Sequence, residues 1–276
     1  MWDPASYLRY GDERSRPFFD LVARIGADRP RVVVDLGCGP GNLTRSLSAR
    51  WPGARIVGLD SSIEMIEAAT ASAGSGVSTG SGRMPAGAGV EFAVADARSW
   101  SPGPEVDVVL SNAMLQWVPE HEALLLRWAR ELSAGSWLAV QVPGNSDAAS
   151  HRELRALVAQ PRWRDRVGQL SRDLTVSDAT GYATLLTGAN CAVDAWETSY
   201  VHLLPASETA DHPVLTWMEG TALRPVRAAL GGAGTAWDEF RSALGERLVA
   251  AYPVRHGLVQ FPFRRIFVVA RTGARH

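Results

Sequence analysis

Hydrophobic positions in the first half of the chain follow two alternating rhythms. Short apolar runs at 31–36 (RVVVDL), 55–60 (RIVGLD), 90–95, 106–110 and 136–142 predict five strands, the first of them β-branched, ending in glycines and buried on both faces. Between them, apolar residues recur at helical spacing. Leu43, Leu47 and Trp51 predict a helix with Asn42 as its N-cap. Ile63, Ile66 and Glu67 predict a second helix after Ser61-Ser62, and Leu125, Trp128 and Leu132 mark the inward face of a third at 122–132. The β-α-β-α rhythm predicts a parallel sheet with helices on both faces. One stretch breaks it: residues 72–89 are dominated by Gly, Ser and Ala and read as a flexible loop.

The second half is less regular. Residues 150–160 and 178–187 predict helices, the latter with Asp178 as a possible cap. Residues 194–203 read as a strand with Trp196, Thr198, Tyr200 and His202 on one face. Residues 206–252 read as mostly helical. A final strand spans 260–270, with Phe263, Arg265 and Phe267 on one face. The chain is expected to form one domain, 1–276. Its ligand-binding core is expected at 31–142, and helical insertions at 144–177 and 205–258 are expected to cap the C-terminal edge of the sheet.

Charge narrows the partners. With 28 Lys and Arg against 29 Asp and Glu, the net charge is -1, which disfavours a nucleic-acid ligand. The two cysteines, Cys38 and Cys191, form neither a disulfide framework nor a zinc-ligand spacing, so no metal is expected. Neither a signal-peptide pattern nor a membrane-length apolar run is present. The expectation is a cytoplasmic protein with a small-molecule substrate, no membrane association and no obligate protein partner.

The strongest chemical signal is Val34-Asp35-Leu36-Gly37-Cys38-Gly39-Pro40-Gly41-Asn42, at the junction of the first strand and first helix. Glycines there allow a ligand to approach the backbone closely. The spacing is G-x-G-x-G, with Asn42 where a dinucleotide fingerprint would place its third glycine. A carboxylate at Asp35 would repel a diphosphate and attract the ammonium and sulfonium of S-adenosylmethionine (SAM). A tight turn without a ligand is the simpler alternative. Two more acids follow successive strands. Asp60 is placed to accept from ribose hydroxyls or to cap a helix. Asp96 is placed to accept from an adenine amino group beside the Ala97 amide, or to be a surface acid.

These residues resemble the successive motifs of the class I SAM-dependent methyltransferases, over 31–142. The resemblance implies a Rossmann-like α/β sheet, mostly parallel with its last strand antiparallel. It also implies that Asp35, Gly37, Gly39 and Gly41 hold the methionine end, Asp60 with Ser61 the ribose, and Asp96 with Ala97 the adenine. Ser111 and Asn112, with Ala113, would offer a backbone carbonyl to the ammonium. A closer resemblance, to the trans-aconitate methyltransferases, covers nearly the whole chain. It is carried by Trp2-Asp3-Pro4, Tyr7, Glu13-Arg14, Arg16-Pro17, Gln116-Trp117, Pro119, 139–143, Trp196, Tyr200, His202, Leu223-Arg224-Pro225 and 261–270. It implies esterification of a tricarboxylic acid.

Such an acceptor is already an anion at neutral pH, so no catalytic base is expected and the protein's task is positioning. It does need cations, and the arginine fork matches carboxylates. Arg265 interrupts an apolar strand face, so it must be paired or face a cavity. Arg16 and Arg224 are further candidate clamps or plain surface charges. Tyr200 and His202 could donate to a carboxylate, or be satisfied interior residues. Trp117 could wall the site or be an ordinary core tryptophan. Other small acids, a non-catalytic SAM-binding module and a nicotinamide oxidoreductase are the rival readings.

Overall fold

A computed structural model describes residues 11–71, 89–170, 176–207, 211–232 and 234–273. The motif residues Trp2-Asp3-Pro4 and Tyr7, the side chains of Glu13-Arg14, and the Gly/Ser-rich stretch up to residue 88 lie outside the described residues. The chain divides into two compact units. The first comprises Met1–Pro143, Val176–Glu197 and Ile266–His276, and the second Gly144–Thr175 and Thr198–Arg265.

In the first unit, α1 (Gly11–Ala23) precedes a regular alternation: β1 (Val32–Leu36), α2 (Asn42–Arg50), β2 (Arg55–Asp60), α3 (Ile63–Ala71), β3 (Gly89–Val94), β4 (Val106–Asn112), α4 (His121–Glu131) and β5 (Trp137–Pro143). Later in the chain come α7 (Ala179–Thr187), β6 (Cys191–Pro205), the short β7 (Val254–Arg255) and β8 (Leu258–Thr272). The strand order is β3-β2-β1-β4-β5-β8-β6, with β7 paired to β8. β1 pairs in parallel with β2 and β4, β2 with β3, and β4 with β5. β8 runs antiparallel to β5: Thr272 N–H donates to Ser136 O at 2.9 Å at one end, and Gly144 N–H to Arg264 O at 3.0 Å at the other. It is also antiparallel to β6, since Asn190 meets Gly273 and Ala206 meets Gly257. The order reverses at β1, from β1-β2-β3 on one side to β4-β5 on the other. In an open α/β sheet that switch point is where ligands bind.

β1 is buried throughout, as its β-branched sequence predicts. Its Val32, Val34 and Leu36 join a core with Leu125 and Trp128 of α4 and Tyr182 and Leu186 of α7. Leu125 and Trp128 are fully buried, and burial of one such side chain contributes roughly 1.5–3 kcal/mol. Asp178 caps α7 by accepting from Gly181 N–H at 2.8 Å. Asn42 does not cap α2. It is the first helical residue, and Gly41, at φ 75°, holds the cap position without a side-chain bond. The predicted alternation on β6 holds from Trp196 to Leu204, but the inward set shifts from odd to even numbers between Ala195 and Trp196.

The second unit is mainly helical: α5 (Ala149–Val158), α6 (Pro161–Val167), α8 (Pro213–Glu219), α9 (Arg224–Ala229) and α10 (Thr235–Ala251). Trp163 of α6 meets Phe240 of α10 edge-on at 5.3 Å, and Tyr252 OH accepts from Ser150 N–H at 3.0 Å. Among the described residues, no helix is long and apolar enough to cross a membrane. Nor, among them, is any group of three or more His, Cys, Asp or Glu placed to hold a metal ion.

Candidate active site

The loop from β1 to α2 is anchored to β2 where it leaves the strand. Leu59 O, on β2, accepts from Gly37 N–H at 2.7 Å and from Cys38 N–H at 3.0 Å. Gly37, Gly39 and Gly41 all have positive φ, at 76°, 55° and 75°, where a side chain is strained. Their surroundings differ. A Cβ on Gly37 would lie 2.3 Å from Met114 Cγ, and one on Gly41 would lie 2.5 Å from the Phe92 ring. Among the described residues, a Cβ on Gly39 would meet no atom within 4 Å. Two glycines are therefore demanded by packing, while the third meets none of the described residues.

Asp35 is buried at 3% exposure in β1, and its Oδ2 accepts from Thr44 Oγ1 at 2.6 Å. Burial pushes its carboxyl up to about 7, against the lowering effect of the Thr44 bond, with neighbouring Asp60 adding to the rise. Burial also pushes the Cys38 thiol up, so that side chain stays protonated and is no nucleophile. Asp60, at the end of β2, accepts from Gly39 N–H through Oδ2 and from Ser62 N–H through Oδ1, both at 2.9 Å. Capping of α3 falls to Ser62, whose Oγ accepts from Met65 N–H, and Ser61 is exposed. Each Asp60 oxygen keeps a further lone pair.

Asp96 is engaged by Arg98, which donates its backbone N–H and its guanidinium to the two carboxylate oxygens. The Arg98 side chain holds the Asp96 carboxyl below the usual carboxylate range. An adenine amino group would share those oxygens with Arg98. Ala97, beside it, is half-buried.

At the end of β4, Ser111 is buried and its Oγ donates to Leu36 O at 3.0 Å, tying β4 to the end of β1. Asn112 Oδ1 is buried and has no hydrogen-bond partner among the described residues. Ala113 adopts φ 55°, unusual for a non-glycine residue. Trp117, in the 3-10 turn that follows, is 49% exposed, so it is not a core residue.

The remaining candidates belong to several elements. Arg16 is an exposed residue of α1, and Arg224, half-buried, begins α9. Tyr200 and His202 are buried on the inward face of β6, and His202 stacks on Trp217 of α8 at 4.9 Å. Arg265 is 6% exposed, with its guanidinium 4.5 Å from the centre of the Phe263 ring.

A family described as a methyltransferase domain matches residues 10–195. A trans-aconitate 2-methyltransferase of Mycolicibacterium gilvum is 54% identical over 275 residues, covering 99% of each chain. One of Rhodococcus jostii is 50% identical, covering 99% of this chain and 100% of its own. The chain belongs to the trans-aconitate 2-methyltransferase family. It is a SAM-dependent methyltransferase. Among solved structures, the YcgJ protein from Bacillus subtilis matches the fold with a TM-score of 0.57 at 14% identity, covering 95% of this chain and 100% of its own.

The site of this trans-aconitate 2-methyltransferase family member fits SAM on its own evidence. Open space at Gly39 admits a ligand against the backbone, and the unpartnered Asn112 oxygen and the acids at the strand ends suit a donor-rich cation. Thr44, Phe92 and Met114 were not legible as site residues: Phe92 and Met114 pack on loop glycines remote in sequence, and Thr44 reaches Asp35 from the following helix.

Proposed function

We propose that the chain transfers a methyl group from SAM to a carboxylate of trans-aconitate, giving a monomethyl ester. The observation that carries this reading is the 54% identity, over 99% of both chains, to a protein named for that activity. When bound, SAM supplies a methyl group activated by a sulfonium charge. The chain's own residues bind and orient. The Gly37–Gly41 loop and Asp35 hold the amino-acid end, Asp60 with Ser61 the ribose, and Asp96 with Ala97 the adenine. Ser111 and Asn112 lie at the ammonium.

The acceptor carboxylate is anionic at neutral pH and needs no base. Aligning the reactants and excluding water is then the main catalytic work. Arg265 is the principal carboxylate clamp, with Arg16, Arg224, Tyr200 and His202 as further donors and Trp117 as an apolar wall. Burial supports this role for Arg265, because a guanidinium removed from water favours an anionic partner.

The test is transfer of radiolabelled methyl from SAM to trans-aconitate, cis-aconitate, citrate, isocitrate and the trimethyl ester of trans-aconitate. The expected result is an ester formed fastest from free trans-aconitate and none from the trimethyl ester. Transfer to none of the free acids would overturn the assignment.

A further inference from the structure

Gln116 lies in the 3-10 turn Leu115–Trp117 that follows β4, and it is only 9% exposed. Its Nε2 donates to Ala113 O at 2.6 Å. A carbonyl can only accept, so this bond fixes which way the amide faces and turns Oε1 to the other side. Oε1 is buried and has no hydrogen-bond partner among the described residues. A buried carbonyl oxygen without a donor is costly, and folds rarely leave one without a reason. Asn112 Oδ1, at the end of the preceding strand, is a second buried acceptor without a donor. The turn between them abuts the glycine loop, since Met114 packs directly on Gly37.

We propose that Gln116 is a cofactor-binding residue: its amide oxygen accepts from the ammonium group of SAM, together with Asn112 Oδ1, while its amide nitrogen clamps the left-handed Ala113 turn that presents both oxygens. The inference rests on the SAM-binding reading above. The chemistry of the ligands selects the ammonium. The acceptor's carboxylates carry no donors at neutral pH, and the ribose hydroxyls and adenine amine have Asp60 and Asp96. An ammonium has three donors and no acceptor, and it suits two buried acceptor oxygens on one short stretch of chain, Asn112 to Gln116.

The experiment compares binding of S-adenosylhomocysteine with that of its analogue lacking the amino group, by calorimetry. It uses the wild type, Ala113→Gly, and the double variant Ala113→Gly/Gln116→Met. Glycine adopts the positive φ without strain, so the turn in the double variant does not depend on the Gln116 clamp. Wild type and Ala113→Gly should prefer the amino-bearing ligand by about tenfold or more, as expected for a hydrogen bond to a charged group. The double variant should narrow that preference to about threefold or less, by weakening S-adenosylhomocysteine alone. A wild-type preference near one, an unchanged preference in the double variant, or equal weakening of both ligands would each overturn the proposal. Failure of the wild type to bind S-adenosylhomocysteine at all would instead overturn the SAM-binding reading.

Discussion

Asp60 accepts the Gly39 N–H at 2.9 Å, so the acid at the end of β2 grips the β1-loop glycine whose Cβ would meet none of the described residues. The same carboxylate holds Ser62 N–H at the start of α3. Loop, strand end and helix entry are thus organised around one side chain. Asp60→Ala should weaken S-adenosylhomocysteine binding by about ten- to a hundredfold, the scale of lost charge-assisted hydrogen bonds. Equilibrium dialysis checks this, and unchanged affinity would refute the ribose role.

The glycines of the loop should separate stability from binding. Gly37→Ala forces a methyl group toward Met114 at a positive φ and should lower the melting temperature markedly, at a cost of about 1–3 kcal/mol. Gly39→Ala meets no neighbour and should melt within a few degrees of wild type, with about 1 kcal/mol of backbone strain. Its methyl group would nevertheless occupy the space assigned to the cofactor, so cofactor binding should be lost. Thermal melts with and without S-adenosylhomocysteine distinguish the two variants.

Asp35 gives the protein a pH signature. Its carboxyl titrates at about 7 when folded, against 3.8 ordinarily. Between those values the folded state keeps a proton that the unfolded state has released. This group's contribution to stability is therefore full below the lower value and declines as pH rises toward about 7. A cationic ligand favours the carboxylate, so affinity for S-adenosylhomocysteine should rise as pH passes through about 7. Asp35→Asn should flatten both profiles. Calorimetry and chemical denaturation across that range check it, and matching profiles in wild type and variant would refute the assignment.

Arg265→Met keeps the bulk of a buried side chain and removes its charge. The Michaelis constant for trans-aconitate should rise about tenfold or more, as for loss of a charge-assisted bond, while S-adenosylhomocysteine affinity stays within about twofold. Steady-state kinetics with parallel binding measurements read both quantities. Equal loss of the two would identify Arg265 as a structural residue.

What was legible in the sequence was local. The β1 run, its glycine turn and the acids at the strand ends share short stretches of chain, and periodicity placed them within a residue or two. Partners distant in sequence escaped it. Nothing near Asp35 names Thr44 as its hydrogen-bond donor, and nothing near Gly37 or Gly41 names Met114 or Phe92. The Asn42 cap was misread because side-chain propensity favours asparagine there, whereas the tight turn against Phe92 puts a left-handed glycine in the cap position. His202 was expected on one strand face with Tyr200, as a carboxylate donor or an interior residue; it is buried there, and its stack on Trp217 depends on a helix outside that strand. Trp117 was read as a wall of the site or a core tryptophan, and its 49% exposure removes the second reading.

Titration calorimetry of the wild-type chain with S-adenosylhomocysteine tests the central claim most directly. A nucleoside cofactor cradled at the ends of β1, β2 and β4 predicts saturable one-to-one binding and a higher melting temperature in its presence. No heat and no thermal shift at saturating ligand would contradict it.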